Sequence, residues 1–304
     1  MMTVLELVCY ILEFITVLFL IPTNIFIVIV NLLTWIKDKK FSQVEQLITS
    51  ISVCNFVEEM LTPTYVVNII YDSPKIKNIY FALSCMVLSC NVWFSTFLCV
   101  YFCLKIVNVK NTLYMCLQRN FQKILPWLFV SAILGSVLVS VPFILIITEE
   151  NVSNPKLNTS AINWQSDSTF ISFKERDILF FLTLSWIALL ILSISTLVIV
   201  TSLFKHMNQV QQNLGGFRSP NVKIHVQALR TIMSLLISNI IILLVLTANL
   251  SSNDNMWSYV IIPLYFMSKV VVCWSLIKGN RNLDKTLRNI FSKSHCINTS
   301  DDNE

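Results

Sequence analysis

The sequence has 304 residues, of which 55% are hydrophobic and 13% are charged, and its formal net charge is +5. Soluble globular proteins carry about 25% charged residues, so this composition excludes an ordinary water-soluble chain. A helix that crosses a bilayer needs about 20 mostly apolar residues, and spans of that length would use most of the sequence. We therefore expect the lipid bilayer as its surroundings. We expect no nucleic-acid partner, because the basic residues serve to orient the chain.

Apolar segments of spanning length occur seven times along the chain, separated by segments rich in Lys, Asn, Ser, Asp and Pro, which favour turns. The sequence predicts an all-α integral membrane protein with one domain over 1–304, in which seven transmembrane helices precede a short cytoplasmic tail at 278–304. The predicted spans are about 8–33, 44–70, 79–107, 124–147, 178–203, 224–250 and 257–277.

The basic residues predict which side of the membrane each connection faces. Sixteen of the 22 Lys and Arg residues fall in the segments on one side of the predicted spans, five fall on the other side, and Lys269 lies inside the seventh span. Cytoplasmic segments are enriched in Lys and Arg. The N-terminus is therefore predicted to be extracellular and the C-terminus cytoplasmic.

The longest predicted outward loop, Thr148 to Asp177, contains two sequons for attachment of an N-linked glycan. They are Asn151-Val152-Ser153 and Asn158-Thr159-Ser160. We expect glycosylation at Asn151 and Asn158.

Ionisable and amide side chains inside the predicted spans need partners within the protein, because charged groups in a span are costly and lipid offers them no hydrogen bonds. On the first span, Glu13, Asn24 and Asn31 fall on one narrow stripe of a helix. The predicted intramembrane polar network consists of Glu13, Asn24, Asn55, Glu58, Glu59 and Lys269.

Lys269 is predicted to pair with Glu58 or Glu59 across the bundle, because a buried lone ammonium is very unfavourable. In the alternative interpretation, a glutamate reaches a water-filled outer cavity and Lys269 extends its ammonium to water.

No catalytic or metal-binding pattern is present in the sequence. The three histidines, His206, His225 and His295, lie near or beyond the ends of the predicted spans, and the nine cysteines have no paired spacing. We expect no enzyme, no cofactor and no metal. A transporter would more often show internal repeats and helices broken by Gly and Pro, and it is kept as a remote alternative.

Two stretches of the chain are similar to one receptor family. Around the fifth and sixth spans, Ser202-Leu203 precedes His206 by a few residues, and a connection with a proline leads to His225-Val226-Gln227-Ala228-Leu229-Arg230. This resembles the bitter taste receptor pattern, with Arg230 in the place of a lysine. At the end of the third span, Tyr101 followed by Leu104-Lys105-Ile106 is also similar to that family.

The resemblance implies a bundle of the G-protein-coupled receptor type in the plasma membrane. It implies a small, mostly hydrophobic bitter agonist and a gustducin-like heterotrimeric G protein as partners. The expected ligand-binding residues are Ser84, Cys85, Leu88, Ser89, Phe181, Leu184, Ser185, Ile242, Val245, Leu246, Asn249, Ile262, Tyr265 and Phe266. The expected G-protein contacts are Tyr101, Lys105, His206, Lys223, His225 and Arg230.

The chain also departs from the family pattern. Asn55 stands where the family carries an arginine, and Val272-Cys273 stands where it carries a His-Ser pair. A cation on Lys269 would replace the one missing from the second span, which favours the predicted pair. The alternative within receptors is the related type 1 vomeronasal family of pheromone receptors. The motif between the fifth and sixth spans favours bitter taste.

Overall fold

The structure, a computed structural model, describes residues 4–71, 74–107, 112–152, 165–214, 220–251 and 256–301, which are almost entirely helical. The helices in these ranges are α1 (Val4–Asp38), α2 (Gln43–Tyr71), α3 (Pro74–Ile106), α4 (Thr112–Val152), α5 (Gln165–Leu214), α6 (Pro220–Ser251), α7 (Met256–Gly279) and α8 (Arg281–Asp301).

The helices form a bundle in which α3 packs against α2, α4 and α5, while α7 packs against α1 and α6. One end of this bundle carries α8, and we refer to it as the α8 end. There Asn282 of α8 donates a hydrogen bond to Glu45 near the start of α2, at 3.2 Å. The hydroxyl of Tyr114, near the start of α4, donates to the backbone oxygens of Cys103 and Val107 at the end of α3, at 2.6 and 2.9 Å.

The outer surface of the bundle is apolar, whereas many polar side chains are buried. Trp127 and Leu138 of α4 are 75% and 70% exposed, while Glu59 of α2 is 0% exposed. Such a surface is unfavourable in water and suits a hydrocarbon environment. Within the described residues, five segments are long and apolar enough to cross a bilayer, at Ile11–Asp38, Ala82–Ile106, Tyr114–Val141, Leu182–Lys205 and Gln227–Leu244. The fold is therefore that of a helical membrane bundle.

Local signals explain how the connection between α1 and α2 is formed. Lys39 adopts a left-handed conformation with φ of 50°, and its amide donates to the backbone oxygen of Trp35, as at a helix C-terminus. Ser42 and Glu45 then form a capping box at the start of α2, in which each residue's backbone amide donates to the other residue's side chain.

The helices are longer than the predicted spans. α3 begins at Pro74, which suits the first turn of a helix because proline has no amide to donate there. α4 continues to Val152 and α5 begins at Gln165, inside the predicted outward loop. Asn151 thus falls in the last turn of α4, while Asn158 lies outside the described residues. Hydropathy marks the part of a helix within the hydrocarbon, and these helices continue beyond it.

The predicted tail contains α8, which the sequence analysis did not anticipate. The Asp284 carboxylate joins α8 to the end of α7, because its oxygens lie 2.6 Å from Lys278 Nζ and 2.9 Å from Arg288 Nε. The hydrogen bond from Lys278 and the two positive charges lower the pKa of Asp284 below its usual value.

Replacing Asp284 with Asn should loosen α8, because the lowered pKa means that the carboxylate is ionised and stabilises the fold at neutral pH. Hydrogen exchange at pH 7 should show lower protection of the α8 amides in Asp284→Asn than in the wild type. The wild type should lose the same protection as the pH falls through the lowered pKa, whereas Asp284→Asn should not change with pH. Equal protection at pH 7 would show that this carboxylate does not hold α8.

Candidate functional site

A buried ion cluster joins α2 and α7. Lys269 Nζ of α7 lies 2.8 Å from Glu58 Oε1 and 2.9 Å from Glu59 Oε1 of α2. Lys269 is 3% exposed, so its ammonium does not extend to the surface. The sequence analysis paired Lys269 with one glutamate or the other, and the structure places both against it. A lysine ammonium has three protons to donate, which allows one cation to contact two adjacent carboxylates.

Aromatic rings complete the surroundings of the ammonium. Lys269 Nζ lies 4.6 Å from the centre of the Tyr265 ring and 5.9 Å from that of Phe266, within the range of cation–π attraction. The Tyr265 hydroxyl donates a hydrogen bond to Glu58 Oε1. Glu13 of α1, which the sequence analysis placed in the same polar network, is partly buried. The cluster therefore combines two carboxylates, one ammonium and one phenol in a water-poor setting.

A chain of weaker polar contacts runs beside the cluster and connects four helices. Asn91 Nδ2 of α3 donates to Asn55 Oδ1 of α2 at 2.7 Å. Asn55 Nδ2 lies 4.0 Å from Cys273 Sγ of α7, and that thiol donates to Asn24 Oδ1 of α1 at 3.4 Å. These side chains provide hydrogen-bond partners for one another, which they need because lipid offers none. The sequence analysis missed Asn91, although an amide within an apolar segment was a signal for it.

A small cavity separates this polar region from α6. Its volume is about 10 Å³, roughly what a single water molecule requires. Its polar wall combines amides, hydroxyls and the Lys269 ammonium. The lining residues are Asn55, Asn91, Ser95, Leu235, Ser238, Asn239, Ile242, Lys269 and Val272. Lys269 thus borders both the ion cluster and this cavity.

The predicted ligand-binding residues on α3 differ in how far they are buried. Ser84 and Leu88 are partly exposed and lie on the same stripe as the cavity residues Asn91 and Ser95, at helical spacing. Cys85 is buried and packs with Val139 of α4, and Leu88 packs against the same cluster. Ser89 is buried as well.

The remaining predicted ligand-binding residues, on α5, α6 and α7, lie in different surroundings. Leu184 packs against the cluster that contains Cys85, and Ser185 is buried. Ile242 lines the small cavity. Tyr265 and Phe266 contact Lys269. The side chains of Phe181, Val245, Leu246, Asn249 and Ile262 lie outside the described part of the structure.

The side chains of three predicted G-protein contacts are described, and all three lie toward the α8 end. Lys105 is exposed, and its ammonium lies 5.6 Å from the centre of the partly buried Tyr101 ring. Arg230 of α6 is exposed. His206 of α5 and Lys223 and His225 of α6 lie in described helices, but their side chains are outside the described part of the structure.

Comparison with known proteins identifies the family. The model of the family described as taste receptor protein (TAS2R) matches residues 1–295. Taste receptor type 2 member 43 of Papio hamadryas is 25% identical over 290 residues, 90% of each chain. Member 105 of Rattus norvegicus is 28% identical over 217 residues, 69% of this chain and 68% of the relative. Member 4 of Homo sapiens is 29% identical over 222 residues, 70% of this chain and 72% of the relative.

The helical membrane bundle is thus a receptor of the G-protein-coupled type, and not an enzyme. The chain belongs to the taste receptor type 2 family, the bitter taste receptors, which are multi-pass proteins of the plasma membrane.

Replacing Lys269 with Met should strongly destabilise the bundle, because two buried carboxylates would lose their shared cation. Removing one partner of a buried ion pair costs about 3–5 kcal/mol. Thermal unfolding of the purified receptor should show a lowered Tm, with less receptor at the cell surface. Adding Glu59→Gln to Lys269→Met should recover part of the loss, because it removes one of the two carboxylates.

Lys278→Met is the matched control for this experiment. Its ammonium also pairs with a carboxylate, Asp284, but it is partly exposed at the end of α7, where ion pairs contribute about 0–1 kcal/mol. A Lys269→Met receptor that unfolds at the wild-type temperature would refute the account of the cluster.

Proposed function

We propose that this chain is a chemosensory receptor that binds small, mostly hydrophobic bitter compounds from outside the cell and activates a heterotrimeric G protein of the gustducin-like kind. The family match over residues 1–295 carries this proposal. In it, the α8 end faces the cytosol, and the opposite end, with Asn151 and Asn158 as glycosylation sites, faces outward. The bias of Lys and Arg in the sequence supports this orientation.

Seven membrane crossings are part of the proposal. α2 and α7, which do not contain any of the five segments found within the described residues, have 29 and 24 residues, and about 20 suffice to cross the hydrocarbon. α2 carries the charges of Glu58 and Glu59, and α7 carries that of Lys269. Because the Lys269 ammonium offsets one of the two carboxylates and all three groups face one another inside the bundle, both helices can be in the membrane despite them.

The ligand is proposed to bind outward of the small cavity. The stripe on α3 that includes Asn91 and Ser95 is buried around that cavity, and it becomes partly exposed one and two turns further out, at Leu88 and Ser84. A stripe that changes from buried to accessible supports a widening space between the helices, the usual place for a small-molecule site in a bundle. Tyr265 and Lys269 would form its polar floor.

Signalling is proposed to occur at the α8 end. An agonist that binds the open form of the bundle more tightly shifts its population, and the G protein then enters the crevice that opens there. Lys105 and Arg230 are exposed at that end, and with Tyr101, His206, Lys223 and His225 they would provide a basic contact surface.

Cells that express the receptor with a promiscuous G protein should give a calcium signal with some members of a panel of hydrophobic bitter compounds. Ser84→Phe should raise the agonist concentration for half-maximal response at least about tenfold, equivalent to about 1.4 kcal/mol, because the ring would occupy the proposed site. Ser131→Phe is the control, because Ser131 is exposed on α4.

The control should respond like the wild type. An absence of response from receptor at the cell surface would contradict the proposed function. An unchanged response of Ser84→Phe would contradict only the position of the ligand site.

A further inference from the structure

A close contact between α6 and α7 lies one residue after the exposed Arg230. Thr231 is 3% exposed, and its hydroxyl donates to the backbone oxygen of Ser275 in α7 at 3.0 Å. The same hydroxyl also reaches the backbone oxygen of Gln227, one turn earlier in α6, at 3.3 Å. A single hydroxyl proton is thus shared between its own helix and the neighbouring one.

Gly279, the last residue of α7, is what allows the two helices to come this close. A methyl group on Gly279 would lie only 2.5 Å from Thr231 Oγ1, which is closer than the two atoms can pack, but 3.6 Å from Thr231 Cβ, which is an ordinary contact. The hydroxyl of Thr231 is therefore the atom that excludes a side chain at position 279.

The contact lies where a small movement of α6 would displace the start of that helix by a larger distance. α6 begins at Pro220, eleven residues before Thr231, and at 1.5 Å per residue this segment is about 16 Å long. On the other side of Thr231, α6 and α7 remain joined by the contact of Ser238 Oγ with Ser268 Oγ at 3.1 Å. A small separation at Thr231 would become a larger displacement at Pro220.

We propose that Thr231 and Gly279 form a latch, which holds α6 against α7 in the closed receptor and sets its activity without agonist. The inference rests on the proposed function, in which the α8 end opens to admit a G protein. Breaking the contact between Thr231 and Ser275 is a step of that opening. The latch acts by positioning α6 and does not touch the agonist.

Signalling without agonist, divided by the amount of receptor at the surface, tests the latch. Thr231→Val keeps the shape of the side chain and removes the hydroxyl, and it should raise basal signalling about fivefold, which corresponds to a net hydrogen bond of about 1 kcal/mol. Thr231→Ser keeps the hydroxyl and should stay within about twofold of the wild type.

A second pair of substitutions separates the latch from general packing. Gly279→Ala should raise basal signalling at least as much as Thr231→Val, because its methyl group would push against the Thr231 hydroxyl. In a Thr231→Ala background, Gly279→Ala should add nothing, since the nearest atom is then at an ordinary contact distance. Gly135→Ala is the control, because a methyl group there meets nothing within 4 Å.

A distance measurement distinguishes failure of the latch from failure of the proposed function. Spin labels at Thr112→Cys and Arg230→Cys, both exposed positions, in a receptor with Cys9, Cys116 and Cys296 replaced by Ser, should show a longer distance when Thr231→Val is added. A longer distance without extra signalling would uphold the latch and contradict G-protein coupling through this end.

Two results would overturn the latch. One is an unchanged distance together with wild-type basal signalling in Thr231→Val and Gly279→Ala. The other is failure of Thr231→Val to reach the surface while Thr231→Ser does so, which would make the hydroxyl a requirement for folding and not for switching.

Discussion

Hydrocarbon offers no hydrogen bonds, and this constraint determines how the interior of the bundle is arranged. A charged side chain at the centre of a span costs about 2.5–3.5 kcal/mol on insertion scales, and Glu58, Glu59 and Lys269 are buried in this bundle. The structure places the Lys269 ammonium against both carboxylates, so that it offsets one of their two negative charges. Replacing a buried ion pair by apolar residues is often neutral or stabilising. We therefore regard the cluster as fixing the register of α7 against α2, and not as a source of net stability.

Lys269 also connects the parts of the proposed signalling path. Its ammonium contacts Tyr265, at the floor of the proposed ligand site, and borders the small cavity that α3 and α6 share. From that cavity, the contact of Ser238 with Ser268 and then the contact of Thr231 with Ser275 follow along α6 and α7 toward the α8 end. These contacts are directional and involve few atoms. Each can be broken at the cost of about one hydrogen bond, which suits an interface with two arrangements.

The sequence was sufficient to predict the helical membrane architecture, the family and the partners available to Lys269, because hydropathy and the cost of buried charge act locally along the chain. It could not predict that one ammonium would contact both glutamates, since that depends on the rotation of α2 relative to α7. It also could not predict that Cys85 packs with Val139 of α4, and the place of Cys85 in the ligand site stays a prediction. Ser84 and Cys85 are adjacent, and a rotation of about 100° per residue decides which of them faces the interior.

Hydropathy likewise could not predict α8 or the latch. α8 has few apolar residues and is held by Leu283, which is buried, and by Asp284. The importance of Thr231 arises from Gly279, 48 positions away in the sequence, and only the folded structure brings them together.

The orientation of the bundle is the claim on which the proposed ligand site, G-protein surface and latch all depend. A membrane-impermeant maleimide tests it directly on receptors lacking Cys9 and Cys296, so that the exposed Cys116 near the start of α4 can be compared with a cysteine placed at Asn158 in a Cys116→Ser background. The account predicts that Asn158→Cys is labelled on intact cells and that Cys116 is labelled only after the membrane is permeabilised. Labelling of Cys116 on intact cells would contradict it.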